Sequence, residues 1–263
     1  MSIVNSPIGI FDSGIGGTSI WKEIKRVLPN EKTIYLSDSR NAPYGPKGKD
    51  KIIELAIKNT DLLLSRGCKL IVVACNTATT NAISYLRENY EVPFIGIEPA
   101  IKPASLRTKT GIVGILATKG TLNSELFTKT SSSLERKIKI IEQVGTGLVE
   151  LIENGKINTQ EMDYLLKSYI HPLLAQNADC LVLGCTHYPY LIPQIRKIVG
   201  PDFQIIDSGE AVARQTKNIL NQFRLEHPSQ ETGTHQFFIN IEKKVLEQFI
   251  PPSGITSIKE LDF

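Results

Sequence analysis

Two short segments decide how this chain folds: Leu70-Ile71-Val72-Val73-Ala74-Cys75-Asn76-Thr77 and Leu181-Val182-Leu183-Gly184-Cys185-Thr186-His187. Each is an apolar run that stops at a cysteine and passes at once into small polar residues. Runs of this length between polar or turn-prone flanks mark buried parallel strands. Each cysteine then falls at the carboxyl end of its strand, the edge where open α/β sheets gather ligand chemistry. Two thiols, each with a hydroxyl beside it, are thus offered to one cleft.

Working outward from Cys75, Pro7–Asp12 reads as a first strand, Ser13-Gly14-Ile15-Gly16-Gly17 as a turn and Thr18–Leu28 as a helix. Thr33–Asp38 is a second strand, followed by a loop of turn formers, Arg40–Pro46. Lys49–Arg66 is an amphipathic helix with Ile52, Ile53, Ala56, Ile57, Leu63 and Leu64 on one stripe. A helix from Thr77 to Tyr90 and a strand over Pro93–Ile97 complete the set. The order then restarts. Gly111–Ala117 is a strand ending at Thr118, Ser124–Lys129 a helix, and Lys137–Glu142 a strand closed by Gly145-Thr146-Gly147. Asn158 with Glu161 starts a long amphipathic helix that Pro172 is expected to kink. Strand 181–184, helix Pro193–Val199 and strand Phe203–Asp207 follow. Gly9 and Gly114 differ by 105 positions, Cys75 and Cys185 by 110, and Ile97 and Ile206 by 109. Three landmarks at nearly constant offset predict two copies of one βα set. Alternating strands and helices predict parallel sheets covered by helices. The tail adds helix 210–223, strand Gln236–Ile239 and helix Glu242–Phe249. The expected organisation is an α/β chain of two similar parallel-sheet domains, one of residues 1–97 plus 208–263 and the other of residues 98–207.

With 263 residues and 41% hydrophobic content, the chain can bury two modest cores. A net charge of +3 without a long basic run gives no sign of a nucleic-acid-binding surface. The run Leu70–Cys75 is far shorter than the ~18 residues a membrane span needs. Met1-Ser2-Ile3-Val4-Asn5 lacks the charged-then-apolar pattern of a signal. The expected setting is the cytoplasm. Four cysteines form no disulfide framework there.

A single strand-end cysteine is more often a small buried hydrophobe than a reagent. Two at equivalent points of a repeat reverse that balance. Neither sits in a Cys-x-x-Cys pair, which disfavours zinc and a redox motif. Cys68 and Cys180 precede their strands and read as packing. Asp12-Ser13-Gly14-Ile15-Gly16-Gly17 is either a helix cap or a cradle for an anion. It lacks the Lys-Ser/Thr of a P-loop and the glycine spacing of a dinucleotide site, so a carboxylate fits better than a nucleotide. Asp12 is expected to be free to contact a thiol or an amine. His187, two residues past Cys185, can stabilise a thiolate or relay its proton. Glu153 stands at the end of an apolar helical turn, where a solvated helix end is the ordinary outcome. Tyr44 and Gly45 follow the second strand and so fall on the ligand edge.

These stretches resemble the glutamate racemase family, within the aspartate/glutamate racemase superfamily. The resemblance rests on Gly9-Ile10-Phe11-Asp12-Ser13-Gly14-Ile15-Gly16-Gly17, Asp38–Gly45, Val73-Ala74-Cys75-Asn76-Thr77-Ala78, Gly96-Ile97-Glu98-Pro99-Ala100 and Leu183–Pro189, in that order. It implies two similar α/β domains facing each other across a cleft, related by pseudo-twofold symmetry. It implies cofactor-independent racemisation of glutamate, metal-free, supplying D-glutamate for peptidoglycan. It further implies that Cys75 and Cys185 are the acid/base pair, that Asp12 assists Cys75, and that His187 and Glu153 assist Cys185. Asp12, Ser13, Tyr44, Gly45, Asn76, Thr77, Thr118, Thr186 and His187 become the expected substrate contacts. Members of the family often form homodimers. Three rival readings stay open on the residues alone: a racemase for aspartate or another acid, a non-catalytic small-ligand binder, and a thiol–disulfide oxidoreductase.

Overall fold

The computed structural model describes residues 3–134 and 138–263. Its strands are β1 (Ile8–Asp12), β2 (Thr33–Ser37), β3 (Leu70–Val73), β4 (Phe94–Gly96), β5 (Ile112–Ala117), β6 (Lys139–Val144), β7 (Cys180–Gly184), β8 (Gln204–Ile206), β9 (His235–Ile239) and β10 (Thr256–Glu260). Its α-helices are α1 (Thr18–Val27), α2 (Lys49–Ser65), α3 (Asn76–Asn89), α4 (Ile101–Arg107), α5 (Lys119–Leu122), α6 (Glu125–Ser132), α7 (Leu148–Glu153), α8 (Gln160–Leu174), α9 (Ile192–Val199), α10 (Gly209–Gln222) and α11 (Lys244–Glu247).

All named strands pair in parallel, in two sheets ordered β10-β9-β2-β1-β3-β4 and β6-β5-β7-β8. The run β2-β1-β3-β4 is repeated, strand for strand, as β6-β5-β7-β8. Cys75 and Cys185 therefore follow topologically equivalent strands. Each glycine of the matched pair lies beside its cysteine strand: Gly9 is in register with Ile71 and Gly114 with Leu181. The tail contributes β9 and β10 to the first sheet, with β9 against β2.

Alternation along the strands divides the core. Leu70 and Val72 of β3 join Leu181 and Leu183 of β7 in one apolar cluster shared by both sheets. Ile71 and Val73 face a second cluster under α2 and α3, and Cys180 and Val182 face a third. Cys68 is buried in the second cluster and Cys180 in the third, as packing residues.

Several boundaries differ from the sequence reading. Cys180 is the first residue of β7 rather than a residue ahead of it. The cap of α8 is Thr159, whose Oγ1 accepts from Met162 N–H, while Asn158 accepts from Gln194. Pro172 sits inside α8, which ends two residues later. The tail helix shrinks to Lys244–Glu247, and β10 was not expected. The second strand of the repeat begins at Lys139; Lys137, its expected start, lies outside the described residues, as do Met1 and Ser2. Among the described residues no helix is long and apolar enough to cross a membrane.

A candidate active site between the two sheets

Cys75 and Cys185 line one small cavity together with Ser13, Pro43, Tyr44, Gly45, Asn76, Thr77, Thr118, Val149, Thr186 and His187. Its lining comes from both halves of the repeat. With about 10 Å³ open to water centres, it has room for roughly one water molecule. A cavity of about 750 Å³ between α2, α3 and α6 shares Gly45 with it but contains neither cysteine. Chemistry rather than size marks the site.

Cys75 is the N-cap of α3: its Sγ accepts from Ala78 N–H at 3.4 Å and stands 3.6 Å from Ser13 Oγ. Burial, and then the Asp12 carboxylate, hold its thiol well above the usual range. Cys75 is therefore a neutral thiol at rest. Asp12 is fully buried, and burial pushes its carboxyl up to about 6 against the partial relief of His187 and the Gly17 N–H. It is less free than the sequence suggests. Its Oδ2 accepts from Gly17 N–H at 2.9 Å and Gly14 N–H at 3.3 Å, and its Oδ1 accepts from Thr186 Oγ1 at 3.4 Å.

In the other half of the repeat, Cys185 Sγ lies 3.8 Å from His187 Nδ1, and His187 Nε2 lies 2.6 Å from Glu153 Oε1. Burial alone would push the imidazole pKa down, but Cys185 and Glu153 outweigh it and hold it well above the usual value. The imidazole thus bridges the Cys185 sulfur and the Glu153 carboxylate, which orients its ring. Glu153 is the last residue of α7 and is not a solvated helix end. Its Oε1 also accepts from Ile15 N–H at 2.8 Å, and Ser39 Oγ donates to Oε2 at 3.3 Å. The N–H groups of the glycine turn are thus taken by the protein's own carboxylates, Gly14 and Gly17 by Asp12 and Ile15 by Glu153.

The glycines of that turn have a steric reason that only the assembled fold reveals. A Cβ on Gly14 would strike the Glu153 carboxyl, with Cδ at 2.8 Å. One on Gly16 would strike the His187 ring, with Cε1 at 2.6 Å. Both obstacles belong to the other half of the repeat.

The remaining predicted residues also gather here. Thr77 Oγ1 and Thr118 Oγ1 are 2.8 Å apart, joining the two halves, and Gly45 packs on Thr118. Tyr44 OH donates to Asp38 Oδ2 at 2.6 Å and accepts from Asn59 Nδ2 at 3.1 Å. Asn76, which lines the cavity, keeps a buried Oδ1 with no hydrogen-bond partner. Thr121, which bonds to both Thr77 and Thr118, and Val149, in the cavity wall, were not anticipated. The signal for Thr121 was present in the Thr118–Thr121 spacing, since Thr118 Oγ1 accepts from Thr121 N–H as the cap of α5. Val149 carried no signal. Among the described residues no group of three or more His, Cys, Asp or Glu side chains could hold a metal ion.

Residues 8–216 match the family model for Asp/Glu/hydantoin racemases. This chain belongs to that family and is an isomerase. Within the family its similarity runs to glutamate racemases. The glutamate racemase of Herpetosiphon aurantiacus is 44% identical over 230 residues, covering 88% of this chain and 91% of that protein. The crystal structure of glutamate racemase isoform RacE1 from Bacillus anthracis superposes with a TM-score of 0.88 at 31% identity, covering 98% of each chain. The Escherichia coli glutamate racemase, in complex with L-glutamate and activator UDP-MurNAc-ala, superposes with a TM-score of 0.85 at 32% identity, again over 98% of each chain.

Proposed function

We propose that this chain interconverts L- and D-glutamate by two-base proton transfer between Cys75 and Cys185, without a cofactor. The observation that carries the reading is one cavity lined by two cysteines that follow equivalent strands of two repeated sheets. Inversion at Cα takes a proton from one face and returns one to the other. A single base would have to cross the plane of the substrate, whereas a duplicated α/β set supplies one on each wall.

One turnover requires one thiol ionised and the other protonated; the base role falls to Cys185, beside His187, and the acid role to Cys75, whose thiol burial holds above its usual range. The Cys185 thiolate takes the α-proton, the C–H electron pair stays on Cα, and the Cys75 thiol delivers its proton to the other face. One thiol is consumed and one is formed, so no oxidant or reductant enters. Asp12, with its carboxyl near 6, can hand a proton to the Cys75 thiolate and restore it. His187 Nδ1, 3.8 Å from Cys185 Sγ, is the group placed to exchange a proton with that sulfur, with Glu153 holding its Nε2. An unperturbed thiol, with pKa ~8.5, is only a few per cent ionised at neutral pH. A cationic neighbour lowers that value, and each unit corresponds to about 1.4 kcal/mol.

The α-hydrogen is far less acidic than a thiol, so charge on the carbanion must be met by fixed donors. The start of α3, at Asn76 and Thr77, presents unpaired N–H groups to the α-carboxylate, and Ser13 and Thr186 add hydroxyls. Asn76 Oδ1 suits the substrate ammonium. The glutamate racemases named above support glutamate as the substrate. We further place the enzyme in the cytoplasm, its D-glutamate serving peptidoglycan synthesis.

The test is purified protein with L-glutamate and no added cofactor, followed by circular dichroism and by mass spectrometry in D2O. Loss of optical activity with one deuterium entering Cα is expected. Cys75→Ser and Cys185→Ser are each expected to lose racemisation by at least ~10³-fold, as for other residues that act as a unit. Normal turnover by either variant, or retention of the original hydrogen at Cα, sinks the two-base assignment. A higher rate on L-aspartate would instead move the substrate.

A further inference from the structure

The family match ends at residue 216, yet a residue far beyond it reaches the loop that supplies Tyr44 and Gly45. Asn240 immediately follows β9, beside Asp38 at the end of β2, because Ser37 and Ile239 are in register. It is 3% exposed. Its Nδ2 donates to Asp38 Oδ1 at 2.6 Å, and its Oδ1 accepts from Arg40 N–H at 2.8 Å. Asp38 is itself fully buried. The same oxygen of Asp38 takes Asn41 Nδ2 at 2.9 Å and Lys58 Nζ at 3.3 Å, and the other takes the Tyr44 hydroxyl. The backbone beyond β10 closes the cluster, with Phe263 O accepting from Lys58 Nζ at 3.2 Å and Asn240 Nδ2 at 3.4 Å.

The chemistry at this point admits few side chains. A backbone N–H can only donate and an ionised carboxylate can only accept. The residue between them must offer an acceptor and a donor on one short planar group, which an amide does. An apolar residue would leave both partners short of a bond in a buried place, and a carboxylate would set like charges against each other.

We propose that Asn240 is a positioning residue for substrate binding. By clamping Asp38 and Arg40 N–H, it fixes the 38–45 loop so that Tyr44 and Gly45 complete the wall of the thiol cavity. The tail strand β9 is thereby part of the catalytic apparatus, acting through the loop rather than on the reacting atoms. The proposal rests on the assignment of Tyr44 and Gly45 as substrate contacts.

The experiment compares Asn240→Ala, Asn240→Asp and the exposed control Gln236→Ala on the same strand. Steady-state racemisation, thermal melting and amide exchange over residues 38–45 are measured for each. Asn240→Ala is expected to raise KM for glutamate about 10-fold or more, as loss of a hydrogen bond to a charged group does. kcat is expected to fall less, exchange in the loop to rise, and Gln236→Ala to match the parent. Asn240→Asp supplies the sharper readout. When protonated, its carboxyl again offers one O–H donor and one acceptor and restores both bonds; when ionised, it repels Asp38. The ratio of its kcat/KM to that of the parent should therefore rise as pH falls from 8 to 6, while the ratio for Asn240→Ala stays flat. Should Asn240→Ala fail to fold, the pH-dependent ratio of Asn240→Asp carries the test alone. Parent-like KM in Asn240→Ala, or a pH-independent ratio for Asn240→Asp, overturns the proposal. In a double-mutant cycle, Tyr44→Phe and Asn240→Ala are expected to be non-additive. If Tyr44→Phe alone leaves KM unchanged, the substrate-contact assignment fails, whereas an intact Tyr44 effect with additive losses refutes only the clamp.

Discussion

Asp12 holds its charge where water cannot reach it, and that decides both its chemistry and its cost. The folded-state carboxyl titrates near 6 against an ordinary value of 3.8. Between those values the folded chain binds more protons than the unfolded chain, so this group lowers stability as pH rises from 3.8 through 6. The penalty is complete above 6 and absent below 3.8. A shift of about two units corresponds to roughly 3 kcal/mol as an upper figure. Asp12→Asn is therefore expected to stabilise the fold at pH 7, by up to a few kcal/mol, and to give no gain at pH 3.5. The same change should lower racemase activity by at least ~10²-fold, because the proton carrier beside Cys75 is gone. Urea denaturation at the two pH values checks the first claim and kinetics the second; an equal gain at both pH values would show that burial of charge is not its source. This is the trade between stability and function written on one side chain. Buried His235 shows the opposite sign for a base. Burial pushes it down to about 4, while Thr33 Oγ1 lies 3.0 Å from its Nδ1. Its contribution is intact above 6.5 and is lost as pH falls from 6.5 toward 4.

Among the elements, the ends of the central strands behave differently. The carboxyl ends carry the chemistry, and the amino ends are pinned by a buried ion pair. Lys69, just ahead of β3, meets Glu31, just ahead of β2, at 2.7 Å with both side chains essentially unexposed. Lys69 Nζ also donates to Val4 O at 2.8 Å, and Glu31 Oε1 accepts from His227 N–H at 2.7 Å. Removing one partner strands the other charge. Lys69→Met is expected to cost about 3–5 kcal/mol in urea denaturation, with much of that recovered in Lys69→Met/Glu31→Leu. The folded fraction of either variant should keep its turnover number, since the pair lies at the edge opposite the thiols. A single variant as destabilised as the double would remove the stranded-charge account. What was legible in the sequence follows the same division. The cysteine strands, the repeat and the return of the tail as a strand show in apolar runs and in spacing, which local pattern records. The strand Thr256–Glu260 did not, because Thr-Ser-Ile-Lys-Glu holds one strongly apolar residue and lies at the edge of its sheet. Helix α7 spans six residues, too few for a period to declare itself, so Glu153 could be guessed only from the family resemblance. Asn240 stood in no motif, since its meaning comes from the register of β9 on β2.

For the molecule as a whole, the thiol cavity is smaller than its chemistry requires. Room for about one water does not hold glutamate, so the cavity must widen for substrate; Pro43, Gly45, Thr118 and Val149 also line a neighbouring cavity of about 170 Å³. The polar contacts between the halves are identifiable: Ile15 N–H with Glu153, Asp12 with Thr186, Thr77 with Thr118, and Ser19 Oγ with Thr186 O at 2.9 Å. Two of the four are made to carboxylates and are of the stronger kind, about 1.5–3 kcal/mol each, and the halves also share the apolar cluster that joins Leu70 and Val72 to Leu181 and Leu183, so the part of the seam free to loosen is the polar rim around the cavity. At Gly16 this seam has little tolerance, because the His187 ring of the other half occupies the space of a side chain. Gly16→Ala should leave each half folded, with melting lowered by only a few degrees, while holding the halves apart by the width of a methyl group. Donors would then miss the carbanion, and a misplacement near 1 Å costs about 10²-fold in rate. kcat/KM is expected to fall by at least that factor, with hydrogen exchange raised along Ser13–Gly17 and at Thr186. Near-parental kcat/KM in this variant would mean that the closed seam is not the reacting state.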